Sequence, residues 1–255
     1  MADQPSKRAE RDAARDARVA AEQADASRAA RLRRMQILGA VAGLVVAAIA
    51  VIAIATGGAD SKKPPGDVAG VAATNTFLRG LQVNGDTLGD PKAPVTLVEY
   101  VDLQCPICKA YSQQVMPTIV DEYVRTGKVR LQTKVVSILG DDSTKAQRFA
   151  SGVQQQNELP FFTHLFFENQ GEENTGYVTD AFLRKIATAV PGLDVDKVFA
   201  DQSGPAAAKV VQAADAVGIN STPTFKIGTS GGALRDINID DGPQAIVDAL
   251  NAATK

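Results

Sequence analysis

The sequence has few of the side chains that build metal sites and covalently cross-linked scaffolds. Its 255 residues include two cysteines, one histidine and no tryptophan. Two cysteines are too few for a disulfide-dense scaffold or a four-cysteine zinc or iron–sulfur site, and one histidine excludes zinc sites with two or three histidines. A formal net charge of −2 argues against a general nucleic-acid binder. With 45% apolar and 22% charged residues, the bulk of the chain has a globular composition.

The N-terminal segment, residues 1–34, is rich in alanine, arginine and acidic residues and has no apolar stripe. It contains nine basic and six acidic residues, a net charge of +3. Because such a segment has no apolar face to bury, we predict a solvated tail, either as an isolated helix or without regular structure.

A single uncharged hydrophobic run follows at residues 37–55. A helix of this length spans about 28 Å, close to the thickness of a bilayer's hydrocarbon core. Four arginines lie between residues 28 and 34, and no basic residue follows before Lys62. The positive-inside rule then places the N-terminus in the cytoplasm and the C-terminal body outside. We therefore predict a single transmembrane helix over residues 35–56; the alternative is a signal peptide cleaved after Ala53-Ile54-Ala55.

The remainder divides into a linker and one domain. Residues 57–74 are rich in glycine, proline, alanine and lysine, which is typical of a linker. Residues 75–255 suffice for one domain that buries roughly 70% of its unfolded surface. Beyond the tail the chain has 18 basic and 23 acidic residues, so the body carries −5 against the +3 of the tail.

Hydrophobic patterns in the body predict an α/β fold. A buried strand, a helix and a second strand in succession favour two parallel strands with a right-handed crossover. Several helical patterns then run together as an all-helical insertion, and a helix, two short antiparallel strands and a last helix complete the chain. The predicted ranges are strands 95–101, 129–138, 224–227 and 234–239, helices 106–125, 205–217 and from 243, and the insertion 143–202.

Both cysteines lie in one motif, Cys105-Pro106-Ile107-Cys108. Half of a zinc site would need further cysteine or histidine nearby, and covalent haem attachment needs a histidine where Lys109 stands. A structural disulfide is the remaining alternative, but closing so short a loop stabilises a protein weakly. The spacing therefore favours a redox-active Cys105–Cys108 disulfide that needs no separate cofactor.

The position of the motif assigns a different role to each sulfur. Cys105 precedes a helix that begins at Pro106, where unpaired backbone N–H groups and the helix dipole favour a thiolate. Such a position lowers a cysteine pKa from about 8.5 into the range of about 3.5–7.5. Cys108, one turn later, is expected to be more buried and to resolve a mixed disulfide formed at Cys105.

Two stretches resemble a known family, the DsbA-like thiol–disulfide oxidoreductases of the thioredoxin fold, and within it the membrane-anchored branch. They are GDPKAPVTLVEYVDLQCPICKAYSQQVMP (residues 89–117) and STPTF (residues 221–225). The resemblance extends from Thr87 to the C-terminus and implies a thioredoxin-like fold with a helical insertion after the second strand. It also implies that Cys105 and Cys108 are the redox pair.

The resemblance further implies a substrate-binding loop opposite the cysteines. Thr222-Pro223 matches the family's cis-proline loop, in which the backbone of Thr222 would pair with a bound peptide. The alternative is an ordinary turn proline at the start of a strand. Pro106 and Ile107, between the cysteines, complete the predicted substrate-binding residues. Well-known oxidants of this fold carry histidine at the position of Ile107, an apolar side chain that donates no hydrogen bond to the thiolate.

Glu99 lies six residues before Cys105, where the family places a buried acid beneath the cysteines. Its expected role is proton exchange with Cys108. The alternative is a strand-edge carboxylate on the solvent face. Lys134, on the next predicted strand, is a candidate ion-pair partner of Glu99. His164 and the phenylalanines around it are expected to be structural.

The predicted function is an extracytoplasmic thiol–disulfide oxidoreductase in the cell membrane that introduces disulfides into secreted or cell-envelope proteins. The resemblance implies reoxidation by a quinone-linked membrane partner of the DsbB or vitamin K epoxide reductase type. One alternative is a membrane-anchored reductase or isomerase of the same fold. Another is a tethered binding or chaperone module with a structural disulfide.

Overall fold

One mixed β-sheet carries the site. The computed structural model describes residues 68–240 and 242–255, and in these residues six strands form a sheet of order β1-β2-β4-β3-β5-β6. The strands are β1 (Val83–Asn84), β2 (Thr87–Leu88), β3 (Val95–Val101), β4 (Val129–Val135), β5 (Thr224–Thr229) and β6 (Arg235–Ile237). Strands β3 and β4 are parallel, and the other neighbouring pairs are antiparallel. The predicted strand–helix–strand unit and the antiparallel pair that follows the insertion are confirmed.

Nine α-helices and one π-helical turn accompany the sheet in the described residues. They are α1 (Val71–Leu78), α2 (Pro106–Gln114), α3 (Met116–Ile119), the π-helical turn (Val120–Val124), α4 (Asp141–Gln154), α5 (Leu159–Glu168), α6 (Asp180–Thr188), α7 (Val195–Asp201), α8 (Pro205–Asp215) and α9 (Gln244–Ala253). Helices α4 to α7 form the predicted all-helical insertion, which begins two residues earlier than expected.

The central strands follow from their side chains. Strand β3 is apolar and β-branched, and six of its seven residues are buried because it lies inside the sheet. Strand β4 alternates, with Val129, Leu131, Thr133 and Val135 buried and the residues between them partly exposed. Glu99 is aligned with Thr133 across the β3–β4 pair. Odd-numbered residues of both strands therefore share one face of the sheet.

The predicted long helix 106–125 is three shorter pieces. Helix α2 ends at Gln114, and α3 begins at Met116 with Pro117 in its first turn. A proline inside a helix removes one backbone donor and its ring clashes with the preceding turn, so the helix is interrupted there. The π-helical turn then completes the segment before β4.

The domain begins earlier than the sequence suggested. Helix α1 starts at Val71, inside the segment 57–74 that was predicted to be a linker. Thr74 and Leu78 of this helix are buried against the core, which its sparse apolar pattern does not reveal. The β1–β2 hairpin was also missed, because its strands have two residues each.

The second strand ends sooner than predicted. It stops at Val135 rather than at residue 138. The backbone N–H groups of Ile138 and Leu139 are bound by the carboxylate of Asp102 instead of by a neighbouring strand. The strand therefore ends where the Asp102 carboxylate binds the backbone, a contact that the sequence pattern did not indicate.

The phenylalanines of α5 belong to the core, as predicted. Phe162 and Phe166 are fully buried, and Phe162 packs against Phe149 of α4 with ring centroids 5.4 Å apart. His164, on the same helix, shares a 2.8 Å hydrogen bond with the hydroxyl of Thr74 and stacks on Phe77. Its contacts are those of the structural role expected for it.

The predicted tail (1–34), the predicted transmembrane helix (35–56) and linker residues 57–67 lie outside the described residues. Within the described ranges, no helix combines the length and the hydropathy needed to cross a membrane.

Candidate active site

The two cysteines lie at the start of α2. Cys105 is the N-cap residue and Pro106 occupies the first turn, where its missing N–H group costs nothing. The Sγ atom of Cys105 accepts a hydrogen bond from the backbone N–H of Cys108 at 3.3 Å. Both cysteines are free thiols, with Cys105 5% exposed and Cys108 1% exposed. Cys105 is therefore the sulfur nearer to solvent, as predicted.

The surroundings of the two cysteines shift their pKa values in opposite directions. The pKa of Cys105 is lowered to about 6, and the largest cause is the hydrogen bond from the Cys108 thiol. Burial acts in the opposite direction and raises this pKa. Hydrogen bonds from Thr222 and from the N–H groups of Cys108 and Ile107 lower it further. Burial raises the pKa of Cys108, and its interaction with Cys105 raises it further. Near pH 7 the pair thus holds one thiolate, on Cys105, and one thiol, on Cys108.

The loop before β5 faces the cysteines. The Thr222–Pro223 peptide bond is cis, as predicted. The Cys105 thiol, when protonated, donates a hydrogen bond to the carbonyl oxygen of Thr222 at 3.3 Å. Pro223 is buried, whereas Thr222 is partly exposed. Of these two residues, Thr222 is therefore the one that a substrate can reach.

Between the cysteines the surface is apolar. Pro106 is exposed, and the side chain of Ile107 is 56% exposed although it is large and hydrophobic. Both lie beside the Cys105 sulfur, where an incoming chain would arrive. The structure thus places all four predicted substrate-binding residues around Cys105.

A small cavity of about 30 Å³ lies behind the pair. It is lined by Glu99 of β3, Cys108 and Tyr111 of α2, Thr133 of β4 and Pro223, together with three further polar residues and apolar residues of the sheet and of α1, α3 and α5. The further polar residues are Ser112, Thr163 and His164. A volume of this size has room for one or two water molecules. Glu99 and Cys108 therefore share a small compartment.

Glu99 lines this cavity and is the one residue of β3 that is partly exposed. Burial raises the pKa of its carboxyl group to about 7, while a 2.6 Å hydrogen bond donated by the Thr133 hydroxyl acts in the opposite direction. A carboxyl group with a pKa near neutrality can hold or release a proton under ordinary conditions. Glu99 lies on a central strand and on the side of the sheet that carries the cavity, which does not agree with the alternative of a strand-edge carboxylate on the solvent face.

The predicted pairing of Glu99 with Lys134 is wrong. Lys134 binds the carboxylate of Asp86. Because Thr133 is the residue aligned with Glu99, Lys134 follows it by one position and points to the opposite face of the sheet. The partner of Glu99 is the hydroxyl of Thr133.

Three residues at the site were not among the predicted site residues. Thr133 was detectable, since it is the one polar residue on the inward face of β4, which otherwise consists of valine and leucine. Gln170 donates hydrogen bonds to the carbonyl oxygens of Leu103 and Cys105, but it follows the end of α5 and has no sequence pattern to mark it. Asp102, three residues before Cys105, is fully buried and binds the loop after β4.

Comparison with known proteins gives one family and several relatives. The sequence model of the family described as Thioredoxin matches residues 82–238. The probable disulfide bond formation protein D of Bacillus cereus is 29% identical over 118 residues, which are 45% of this chain and 55% of the relative. Disulfide bond formation protein D of Bacillus subtilis is 30% identical over 102 residues, 39% and 46% of the two chains. The chain spans about half the length of the curated relatives it matches.

Solved structures agree with the fold. Oxidised BdbD from Bacillus subtilis has a TM-score of 0.59 at 22% identity, covering 66% of this chain and 92% of that one. Wolbachia pipientis α-DsbA1 has a TM-score of 0.53 at 21% identity, covering 66% and 90%. At these identities the likeness shows the fold alone. The predicted α/β thioredoxin-like fold is confirmed, and so is the resemblance to DsbA-like proteins.

Proposed function

Because the chain belongs to the thioredoxin family, we propose that its Cys105–Cys108 pair exchanges thiols and disulfides with protein substrates. The observation that carries this proposal is the asymmetry of the pair. Cys105 lies at a helix N-terminus with a pKa lowered to about 6, and Cys108 is a buried thiol directly behind it. A pair of this kind has one sulfur to attack or be attacked and another to resolve.

We infer that the pair works in the oxidising direction. A substrate thiolate attacks Sγ of Cys105 in the oxidised pair, the Cys105–Cys108 bond breaks, and Cys108 leaves as a thiolate that takes up a proton. A second substrate thiolate then attacks the substrate sulfur of the mixed disulfide, and Cys105 leaves as a thiolate. The substrate loses two electrons and gains a disulfide, and the enzyme ends with the free pair seen in the structure.

The low pKa of Cys105 favours this direction. A thiol of lower pKa leaves faster, and stabilising its thiolate stabilises the reduced enzyme, which makes the disulfide a stronger oxidant. In this chain the backbone N–H groups of Ile107 and Cys108, together with the Cys108 thiol, supply that stabilisation, since the side chain of Ile107 cannot.

Glu99 supplies the proton that Cys108 needs. The two groups line one cavity with room for a water molecule, and the carboxyl pKa of about 7 makes the proton available near neutrality. In the reverse reaction the same carboxylate accepts the proton from Cys108.

Substrates of this site are cysteine-containing segments in an extended conformation. The exposed apolar surface of Pro106 and Ile107 offers contacts that do not depend on sequence, and the Thr222 backbone lies beside the reacting sulfur. A site of this type suits chains that have not finished folding, because their cysteines are accessible.

The location of the domain is part of the proposal. The uncharged run 37–55 and the arginines before it favour a membrane anchor with a cytoplasmic tail and the redox domain outside. Its substrates would then be secreted and cell-envelope proteins. The reduced pair needs an electron acceptor, which we assign to a quinone-linked membrane reoxidase of the DsbB or vitamin K epoxide reductase type.

One observation favours the opposite direction, that of a reductase or isomerase. Ile107 gives the Cys105 thiolate no side-chain hydrogen bond, which leaves the reduced state less stabilised than a polar residue would. Equilibration with glutathione separates the two directions. A potential well below the glutathione couple, at about −240 mV, would indicate a reductant, and one above it an oxidant.

The experiment for the exchange function uses the oxidised full-length chain in mild detergent and a reduced peptide with two cysteines. Peptide oxidation is followed by mass spectrometry for the unmodified chain, Cys105→Ala and the control Lys109→Ala. We expect Cys105→Ala to lose the activity and Lys109→Ala to keep it. Oxidation by Cys105→Ala at the unmodified rate would refute the exchange function of this pair. Absence of oxidation by the unmodified chain would refute it as well and would favour a binding module with a structural disulfide.

A further inference from the structure

The helical insertion holds the redox loop, residues 102–105, which joins β3 to α2. Helix α5 ends at Glu168, and Gln170 follows two residues later. The Nε2 atom of Gln170 donates hydrogen bonds to the carbonyl oxygens of Leu103 at 2.8 Å and Cys105 at 3.1 Å. One amide therefore holds the backbone on both sides of Gln104.

The carbonyl of Cys105 is the point at which α2 begins. It also accepts the backbone N–H of Lys109 at 3.2 Å, the first hydrogen bond of that helix. Gln170 thus binds the same oxygen that starts the helical ladder. Through this oxygen it restrains the orientation of the helix N-terminus relative to the Cys105 side chain.

The other end of the redox loop is held by buried polar groups. Asp102 is 0% exposed and accepts the N–H groups of Ile138 and Leu139 and the hydroxyl of Ser143. The Gln104 side chain, also buried, donates to Ser143 at 2.9 Å. The backbone N–H of Cys105 is also bound by the carbonyl oxygen of Asp102 at 3.0 Å, so Asp102 holds the loop from the N–H side and Gln170 holds it from the carbonyl side.

The contacts of the Cys105 sulfur depend on where this backbone is held. Its hydrogen bonds to the Cys108 N–H and to the Thr222 carbonyl are both 3.3 Å long. The first of these bonds favours the thiolate, whereas the second is donated by the protonated thiol to the loop before β5. A residue that holds the Cys105 backbone therefore affects the balance between thiolate and thiol, chiefly through the bond from the Cys108 N–H group.

We propose that Gln170 is a positioning residue of the redox site, which holds the Cys105 backbone so that its sulfur lies at the N-terminus of α2 and beside Thr222. This inference rests on the proposed function of Cys105. Gln170 does not touch the sulfur and acts through the carbonyl oxygens of Leu103 and Cys105. It lies at the end of α5, so the insertion has a part in the redox chemistry beyond covering the core.

The neighbours of Gln170 show that this contact is separate from other contacts of the same corner. Asn169 binds the backbone of Ala69 before α1, and Glu168 accepts a hydrogen bond from Gln113 of α2. Neither of them contacts residues 102–105 by a hydrogen bond. A change at Gln170 therefore tests the redox loop rather than the whole corner.

The test compares Gln170→Met with Gln156→Met in the reduced full-length chain. Gln156 is a matched control, since its amide also joins two segments by bonding the backbone of Asp194, but it lies away from the redox loop. Thiolate absorbance at 240 nm, followed from pH 4 to pH 8, reports Cys105, because Cys108 stays protonated in that range. Denaturant unfolding of each variant measures the loss of stability.

We expect Gln170→Met to raise the Cys105 pKa by about one unit, a tenfold lower ratio of thiolate to thiol at a given pH. Gln156→Met should leave the pKa unchanged. A Gln170→Met chain that folds but keeps the original pKa would overturn the proposal, as would an equal shift in Gln156→Met. Should Gln170→Met not fold, Gln170→Asn keeps the amide on a shorter side chain and should give a smaller shift of the same sign; an unchanged pKa there overturns it as well.

The titration distinguishes a failure of this proposal from a failure of the proposed function. The titration measures the ionisation of Cys105 without any substrate. If the unmodified chain has a lowered Cys105 pKa but does not oxidise peptides, the exchange function fails and the positioning role stands. If peptides are oxidised and Gln170→Met leaves the pKa unchanged, only the positioning role fails.

Discussion

Thr133 donates a 2.6 Å hydrogen bond to Glu99 from the position directly beside it on the neighbouring parallel strand. Burial disfavours the charged carboxylate, and this hydrogen bond favours it, so the carboxyl pKa comes to about 7. The hydroxyl of Thr133 thus limits how far burial raises that pKa. It keeps Glu99, the proposed proton-exchange partner of Cys108, titratable near neutral pH.

Replacing Thr133 with valine should therefore raise the Glu99 pKa. Valine keeps the shape of threonine but lacks the hydroxyl, and the loss of one hydrogen bond to the carboxylate corresponds to a rise of about one unit. Infrared titration of the carboxyl band measures it. Thr133→Ser, which retains the hydroxyl, is the control; equal pKa values in Thr133→Val and Thr133→Ser would disprove the effect.

The raised pKa of Glu99 also makes stability depend on pH. Between pH 4.5 and 7 the unfolded chain loses this proton while the folded chain retains it, so the free energy of unfolding falls as the pH rises through this range. The total loss is about 3 kcal/mol. Denaturant unfolding of the unmodified chain and Glu99→Gln at pH 4 and pH 8 checks this.

Glu99→Gln has no carboxyl group that can ionise at this position. The free energy of unfolding of Glu99→Gln should therefore rise relative to that of the unmodified chain between pH 4 and pH 8. A constant difference would show that Glu99 is not a buried acid. Glu158→Gln, on the insertion and outside the cavity, is the comparison for a carboxyl group away from the cysteines.

The lowered pKa of Cys105 predicts that the reduced chain is more stable than the oxidised one, increasingly so at higher pH. The folded thiol has a pKa of about 6 against an ordinary value of 9.0, so its thiolate contributes stability that is absent below pH 6 and complete only above pH 9. The contribution is about 1.4 kcal/mol at pH 7 and about 2.7 kcal/mol at pH 8. The oxidised pair has no such thiolate.

Paired denaturant unfolding curves of both redox forms at pH 5, 7 and 8 measure this difference. The short disulfide loop adds only a small, pH-independent term of the opposite sign. A gap between the two forms that does not widen from pH 5 to pH 8 would contradict the assigned acidity of Cys105.

We expect Ile107 to limit the oxidising strength of the pair. Ile107→His places a hydrogen-bond donor beside the Cys105 thiolate, so the Cys105 pKa should fall and the reduction potential should rise. A fall of one pKa unit corresponds to about 30 mV for a two-electron couple. Equilibration with glutathione measures the potential, with Ile107→Val as the apolar control; an unchanged potential in Ile107→His would show that this position does not tune the pair.

Sequence patterns were sufficient where the relevant residues are close together in the chain. Cys105 and Cys108 lie in one helical turn, so their spacing indicated both the chemistry and the order of the two sulfurs. The fold of β3, α2 and β4 followed from local hydrophobic patterns, and the Thr222–Pro223 loop from the match to a family.

The contacts that the sequence did not reveal join residues far apart in the chain. Gln170 and Cys105 are separated by 65 residues, and Asp102 and Ile138 by 36. No local pattern indicates that these groups meet, since each is a polar residue in a loop. The Lys134 error had a different cause, because the side of a strand on which a residue lies depends on a register that one residue can reverse.

The central claim is that Cys105, and not Cys108, is the sulfur that meets substrates. Its most direct test treats reduced Cys108→Ala and reduced Cys105→Ala, in the full-length chain at pH 7, with a peptide disulfide and counts the covalent adducts by mass spectrometry. The account predicts formation of one mixed disulfide in Cys108→Ala, whose Cys105 loses the hydrogen bond from the Cys108 thiol but keeps the backbone N–H groups of the helix N-terminus, and none in Cys105→Ala on the same timescale. Adducts that form equally fast in both variants, or only in Cys105→Ala, would contradict it.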